Sequence, residues 1–403
     1  MAMKHILTGF KVLDFTHVLA GPAATRLMVE MGAEVIKVEF PPLGDMSRAL
    51  PTIVDGRSAY YVQQNRGKKS LCVNLKTEEG KALIYDLIRQ VDVVIENFAP
   101  GVAARLGIGW EKVHELNPRV VMCSISAFGQ QGPLSSLPGF DYIAQAYAGV
   151  TGMIGEPDAA PSLPMLGLGD VTTGVHAAAA IGYALLHRER GGEGQYLDIS
   201  LLDSYFHCHE INVALYGLTG RVPTRAGHHH YAVCPLGLFK HGERYVCIIA
   251  LDPQWQSLCS AMGQPALGKD ERYDSNAKRV ERASEVIALV QAWVDKQTSV
   301  ESIVELLAEY HVPCAPVMSI AEVCNMPHMI ERGTVRRISD PKLGEFTVPG
   351  MPLRFSGFTH EASLEGAYLG HHNEEVLRAM LGLSSERIEA LRTAGVLHAN
   401  PGT

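Results

Sequence analysis

The 403-residue chain lacks several features that would fix its class at once. Its eight cysteines, at positions 72, 123, 208, 234, 247, 259, 314 and 324, include no CxxC pair. That argues against a zinc ribbon and against a disulfide framework, and reduced thiols in a cytoplasmic protein are the expectation. Positive charge is not in excess. Thirty-five Lys and Arg stand against 43 Asp and Glu, a formal net charge of −8, so nonspecific nucleic-acid binding is not expected. No stretch reaches the roughly 18 uncharged apolar residues of a membrane span. Met1–Ile6 lacks the apolar run of a signal peptide. Internal repeats and low-complexity segments are absent too. Two catalytic signatures also fail. Gly67-Lys68-Lys69-Ser70 ends like a phosphate-binding loop, but Val62 stands where its first glycine belongs and Lys69 where Ser or Thr belongs. There is no Gly-x-Ser-x-Gly elbow of a serine hydrolase.

What is present is an ordinary globular composition, 47% apolar and 19% charged, long enough for two or three domains. Strand-like runs alternate with helical ones. Phe10–Thr16, Ala33–Phe40, Ser70–Leu75, Val91–Phe98, Val120–Ser126 and Gln195–Leu202 read as strands. Helices are expected over Pro22–Gly32, Thr77–Gln90, Trp110–Leu116, Tyr142–Ala148 and Val171–Arg190. The alternation predicts βαβ units and a parallel sheet. Gly217–Gly227 reads as a link between domains. Beyond it come a strand at Tyr245–Leu251 and helices at Gln254–Met262, Ser284–Lys296 and Val300–Tyr310. Two further helices, Glu374–Leu381 and Ser385–Ala394, close the chain.

Three clusters are candidates for chemistry. His207-Cys208-His209-Glu210 would chelate a metal only on a strand, and it reads as helix, so no metal site is assigned. His228-His229-His230 is either a solvated loop or a contact for an anion or carboxylate. The most informative segment is Gly167-Leu168-Gly169-Asp170-Val171-Thr172-Thr173-Gly174. Alone, Asp170 reads as the N-cap of the following helix. The flanking glycines exceed what a cap needs, because they also allow close backbone approach and leave N–H groups free. Such donors would keep Asp170 ionised and nucleophilic, and would hold an oxyanion formed when it attacks a carbonyl.

Over nearly its whole length the chain resembles the class III CoA-transferases, the family of the formyl-CoA and carnitine-CoA transferases. The resemblance is carried by VLDFTHVLAGP (12–22), GAEVIKVE (32–39), Asn65–Leu75, Glu96-Asn97-Phe98, LNPR (116–119), GFDYIAQ (139–145), Asp170, GQYLDISLLD (194–203) and LGHHNEEV (369–376). It implies a Rossmann-like large α/β domain, residues 1–216 and 331–403, with a smaller α/β domain inserted at 228–330, and an interlocked homodimer. It implies Asp170 as the catalytic nucleophile. It also implies a CoA site at His17, Val18, Val73, Asn74, Lys76, Asn97, Phe98, Arg105, Phe140 and Asp141. Lys68, Lys69, Lys76 and Arg105 would offer the phosphates positive partners. CoA and acyl-CoA enter as substrates, with no permanently bound cofactor.

The expected reaction moves CoA from an acyl-CoA to a free small carboxylic acid, with a dicarboxylate such as succinate leading. It would pass through anhydride and aspartyl-CoA thioester intermediates. Leu19 and Phe40 replace a glutamine and an arginine of the formyl-CoA branch, which argues against formyl-CoA and oxalate. Two alternatives share the resemblance. An α-methylacyl-CoA racemase would need the histidine that Phe140 replaces. A non-catalytic CoA-binding protein would not need Asp170 between glycines.

Overall fold

The early strand runs are apolar almost without interruption, the pattern of a parallel sheet covered on both faces. In the computed structural model, which describes residues 5–358 and 364–400, they form one six-stranded sheet. Its strands are β1 (Lys11–Asp14), β2 (Glu34–Glu39), β3 (Lys69–Cys72), β4 (Val93–Glu96), β5 (Val121–Ser126) and β6 (Tyr196–Ser200). All neighbours run parallel, in the order β3-β2-β1-β4-β5-β6. This doubly wound order reverses between β1 and β4, and the crevice outside the carboxyl ends at that point is where such sheets bind ligands.

Five helices of this part bear on the site: α1 (Ala20–Glu30), α2 (Glu78–Ile88), α3 (Asp141–Tyr147), α4 (Leu168–Glu189) and α5 (Leu201–His207). Thr77 caps α2, its hydroxyl accepting from Gly80 N at 3.0 Å. One face of the sheet packs against α2 and the C-terminal helices Asn373–Leu381 and Ser385–Thr393, through Leu83, Leu87, Val376, Leu377 and Leu391. The other packs against α1, α3, α4 and α5, through Ala24, Met28, Ala144, Ala177, Ile181 and Tyr205. Helices α1 and α4 cross closely, because a Cβ on Gly174 would stand 2.6 Å from the Ala20 carbonyl oxygen.

The edge of β3 is covered by the chain's own end. Cys72 N donates to Asn373 Oδ1 at 2.8 Å, Ser70 N to His372 Nδ1 at 3.1 Å, and His398 N to the Cys72 carbonyl at 3.2 Å. Val73 pairs with Leu397 in an antiparallel bridge.

The chain divides into two compact units. The first holds the residues up to Val150, Met165–Glu210 and those from Pro327 on. The second holds Thr151–Pro164 and Ile211–Met326. It therefore starts ahead of the Gly217–Gly227 link and takes in a segment well upstream. The Arg225 guanidinium joins the two pieces, donating to the carbonyls of Glu156 at 3.1 Å and Ala159 at 2.8 Å. Within this unit β7 (Leu236–His241), β8 (Arg244–Ile249) and β9 (Cys314–Pro316) form an antiparallel sheet in the order β9-β8-β7. Helices α6 (Asp252–Ala261), α7 (Ala283–Val294) and α8 (Val300–Glu309) enclose Phe239, Ile248, Trp255, Val290 and Ile303 with it. The sequence reading begins this unit with the strand at Tyr245; the structure adds β7 ahead of it, paired along its length with β8. Among the described residues no helix is long and apolar enough to cross a membrane.

Candidate active site

The loops after β1 and β4 meet at the reversal point and are tied by a reciprocal pair of bonds. His17 N donates to Asn97 Oδ1 at 2.8 Å, and Asn97 Nδ2 donates back to the His17 carbonyl at 2.9 Å. Val18 follows in the left-handed region, with φ of 64°, a costly conformation for a β-branched residue. Its N–H is held by Asp45 Oδ1 at 3.0 Å. Asp45 is in turn fixed by the buried Lys37 ammonium at 2.7 Å. The rings of His17, Phe40 and Phe98 cluster at centroid distances between 5.7 and 6.1 Å. Burial, with the Lys37 charge second, holds His17 below its ordinary imidazole value, so it is neutral at pH 7.

His17, Val18, Asn97, Phe98 and Asp170 line one cavity of about 520 Å³. Leu19, Met46, Phe128, Leu137, Phe140 and Leu201 give it largely apolar walls. Asp170 is the sole carboxyl among its described lining residues, and none of them is Lys or Arg.

Two expectations for Asp170 are corrected. It is not the N-cap: that position belongs to Gly167, the helix starts at Leu168, and Asp170 sits third in the first turn. Nor is it held ionised. Burial first, and the Asp141 carboxylate second, push it up to about 7, and both favour the neutral form. One N–H group expected to be free is also engaged: Asp170 N faces Asp141 Oδ2 at 3.4 Å. The glycines are required by close packing. A Cβ on Gly167 would lie 2.4 Å from Leu19 Cδ2, and one on Gly169 would lie 2.1 Å from Tyr205 Cε2.

Of the positions implied for CoA, His17, Val18, Asn97, Phe98 and Phe140 line this cavity, and Asp141 lies buried beneath Asp170. Val73, Asn74, Lys76 and Arg105 are not among its lining residues. The Val73 side chain is wholly buried in the core, whereas Lys76 and Arg105 are exposed. Two of the expected phosphate partners are already spent on carboxylates. Lys68 is buried against Asp14 at 3.1 Å, and Lys69 bridges Glu34 at 2.6 Å and Glu375 at 2.8 Å. The histidine triplet belongs to the second unit, where His228 Nδ1 meets Glu156 at 3.2 Å and His229 and His230 line a separate cavity of about 220 Å³. His207 ends α5, and His209 Nε2 bonds to the Ala148 carbonyl at 2.9 Å. Asp45 and Tyr205 carried no expectation. Asp45 had a local signal, as an Asp two residues ahead of Ser47, whose N–H it caps at 2.8 Å. Tyr205 had none, because its partners lie on other elements.

Comparison with known proteins agrees with this architecture. The model of CoA-transferase family III matches residues 7–373. The chain is 33% identical to a succinyl-CoA:glutarate CoA-transferase of Mus musculus over 97% of its own length and 90% of that protein's. It is 30% identical to a formyl-CoA:oxalate CoA-transferase of Bradyrhizobium diazoefficiens, covering 98% of each. Among solved structures, a CAIB/BAIF family protein from Brucella suis superposes with a TM-score of 0.82 at 31% identity, covering 94% of this chain and 100% of that one. With a parallel sheet whose reversal point opens on a lone carboxyl, and with matches that span almost all of its length, the chain belongs to CoA-transferase family III.

Proposed function

We propose that this CoA-transferase moves CoA from an acyl-CoA to a small dicarboxylic acid, with Asp170 as the covalent nucleophile. One observation carries the reading: among its described lining residues, Asp170 is the only carboxyl on a largely apolar cavity at the carboxyl ends of β1 and β4. The ionised Asp170 attacks the thioester carbonyl and expels CoA thiolate, leaving a mixed anhydride. Thiolate attacks the aspartyl carbonyl, releases the donor acid and leaves an aspartyl-CoA thioester. The acceptor carboxylate displaces thiolate from it to form a second anhydride. Thiolate then attacks the acceptor's acyl carbon and frees the Asp170 carboxylate. Apolar walls exclude the water that would hydrolyse these intermediates. His17, Val18, Asn97, Phe98 and Phe140 support placement of the CoA arm along the cavity. Asn74, Lys76 and Arg105 are proposed to contact CoA outside it, over the segment that the wholly buried Val73 anchors in the core. Phe140 cannot exchange a proton, so it supplies no acid or base for racemisation.

The dicarboxylate rests on relatives named for glutarate, D-citramalate and oxalate. Turnover of succinyl-CoA against a panel of mono- and dicarboxylates, with hydroxylamine trapping, tests the whole reading. Wild type is expected to prefer a dicarboxylate and to carry a hydroxamate on the Asp170 peptide. Asp170→Asn should fold and lose exchange by at least about 10³-fold. Trapping at another carboxyl would reject the nucleophile, and preference for long-chain acids would reject the acceptor class.

We also propose a homodimer. Tyr183, Val175 and Leu186 leave an apolar stripe exposed on α4. In the second unit, the apolar helix Asn212–Thr219 buries none of its residues. Such surfaces mark interfaces. Light scattering at micromolar concentration should give twice the chain mass; the mass of one chain refutes it.

A further inference from the structure

Beneath Asp170 lies a group of side chains, Asp141, Tyr205 and Gln145, that are not among the cavity's lining residues. Asp141, 9% exposed, accepts the Tyr205 hydroxyl on Oδ1 and faces Asp170 N with Oδ2. Tyr205 is buried and takes a bond from Gln145 Nε2 at 3.2 Å. Helices α3 and α5 thus converge on the first turn of α4. Gly169 is squeezed between them, since a Cβ there would also stand 2.6 Å from Asp141 Oδ1. A helix start needs an acceptor, and an uncharged Asn or Ser caps about as well as Asp. A second carboxylate beside a nucleophilic one carries a like-charge penalty, which capping does not explain.

We propose that Asp141, held in place by Tyr205, is a positioning residue that repels the free Asp170 carboxylate but not its acylated forms, and so shifts the enzyme toward its covalent intermediates. This rests on Asp170 being the nucleophile. In the anhydride and the thioester the Asp170 carboxyl carries no charge. The repulsion therefore acts before attack and after release, and vanishes in between. Other groups facing Asp170 do not supply it. Tyr60, on the helix Ala59–Asn65, is kept protonated by burial and then by the charges of Asp170 and Asp45, which push it up to about 12. Tyr205 is raised further still, by burial and its bond to Asp141. His17 is neutral, and Asp45 is paired with Lys37.

The test uses the full-length protein with succinyl-CoA. Wild type is trapped first with hydroxylamine; if no hydroxamate forms at Asp170, the nucleophile assignment itself has failed. If it forms, two readouts are compared in Asp141→Asn. The covalent fraction at steady state should fall about tenfold, and the acid limb of the exchange profile should move down by about one pH unit. Tyr205→Phe, which frees Asp141 to turn away, should move both in the same direction by less, and it carries the test if Asp141→Asn does not fold. A rate loss that is uniform across pH, with an unmoved limb and an unchanged covalent fraction, would mean a structural role only and overturns the proposal.

Discussion

Asp14 and Asp170 are carboxylates of the same unit that their surroundings push in opposite directions. Burial raises both. At Asp14 that effect is outweighed by Lys68 and Lys37 and by the hydroxyls of Thr16 and Thr25, which together hold it down to about 2. At Asp170 no cation answers, and Asp141 adds to the burial. Depth alone therefore says little about the state of an acid; what lines the wall decides it. The paired acid belongs to the scaffold under β1 to β3, and the unpaired one opens on the cavity.

The comparison is broken most severely at the scaffold. Lys68→Met leaves Asp14 without its closest cation, at a site where both side chains are almost wholly buried. Loss of one partner from such a pair costs about 3–5 kcal/mol. A urea midpoint unchanged from wild type would show that Lys37 and the two threonines suffice. Lys68 also remains a group under strain. Burial lowers it to about 8 despite Asp14, so the pair is not a strong net gain over apolar packing.

A smaller effect of opposite sign is expected at the site. Asp14 has a depressed value, so its stabilisation is complete above about pH 4 and is lost as pH falls toward 2. Asp170 has a raised value, so the folded state binds its proton more tightly than the unfolded chain does. Stability is therefore forfeited as pH rises from about 4 to 7 and is flat beyond. Asp170→Asn removes that penalty and should be more stable than wild type by about 1–2 kcal/mol at pH 8, with no difference at pH 4. Equal denaturation midpoints at pH 8 would erase the distinction between the two acids.

The parallel sheet was readable because strands buried on both faces need mostly apolar runs, as VLDF and VVIE show. Strand order was not, since pairing of β1 with β4 as well as with β2 leaves no local mark. The start of α4 was misread for a related reason. Gly167 and Gly169 look like a loop that ends at Asp170, yet contacts with Leu19, Tyr205 and Asp141 carry the helix back to Leu168. Lys68 looks like a surface cation until Asp14, 54 residues away in sequence, is brought against it. Charge state was the least legible property, because it depends first on burial and then on Asp141 from another element.

The covering of β3 by His372, Asn373 and the Leu397–His398 segment bears on how the protein is made. A ribosome delivers residues from the first onward, and domains tend to fold as they emerge. Ser70 and Cys72 leave the exit tunnel some 300 residues before His372 and Asn373, their eventual partners. Throughout that interval β3 presents an open sheet edge, and such edges template pairing with other chains. Covering of that edge therefore waits until His372, Asn373 and His398 have emerged. A transcript truncated before codon 370 would yield a product with the reversal-point crevice encoded but with its outermost strand uncapped, a natural target for chaperones and for degradation.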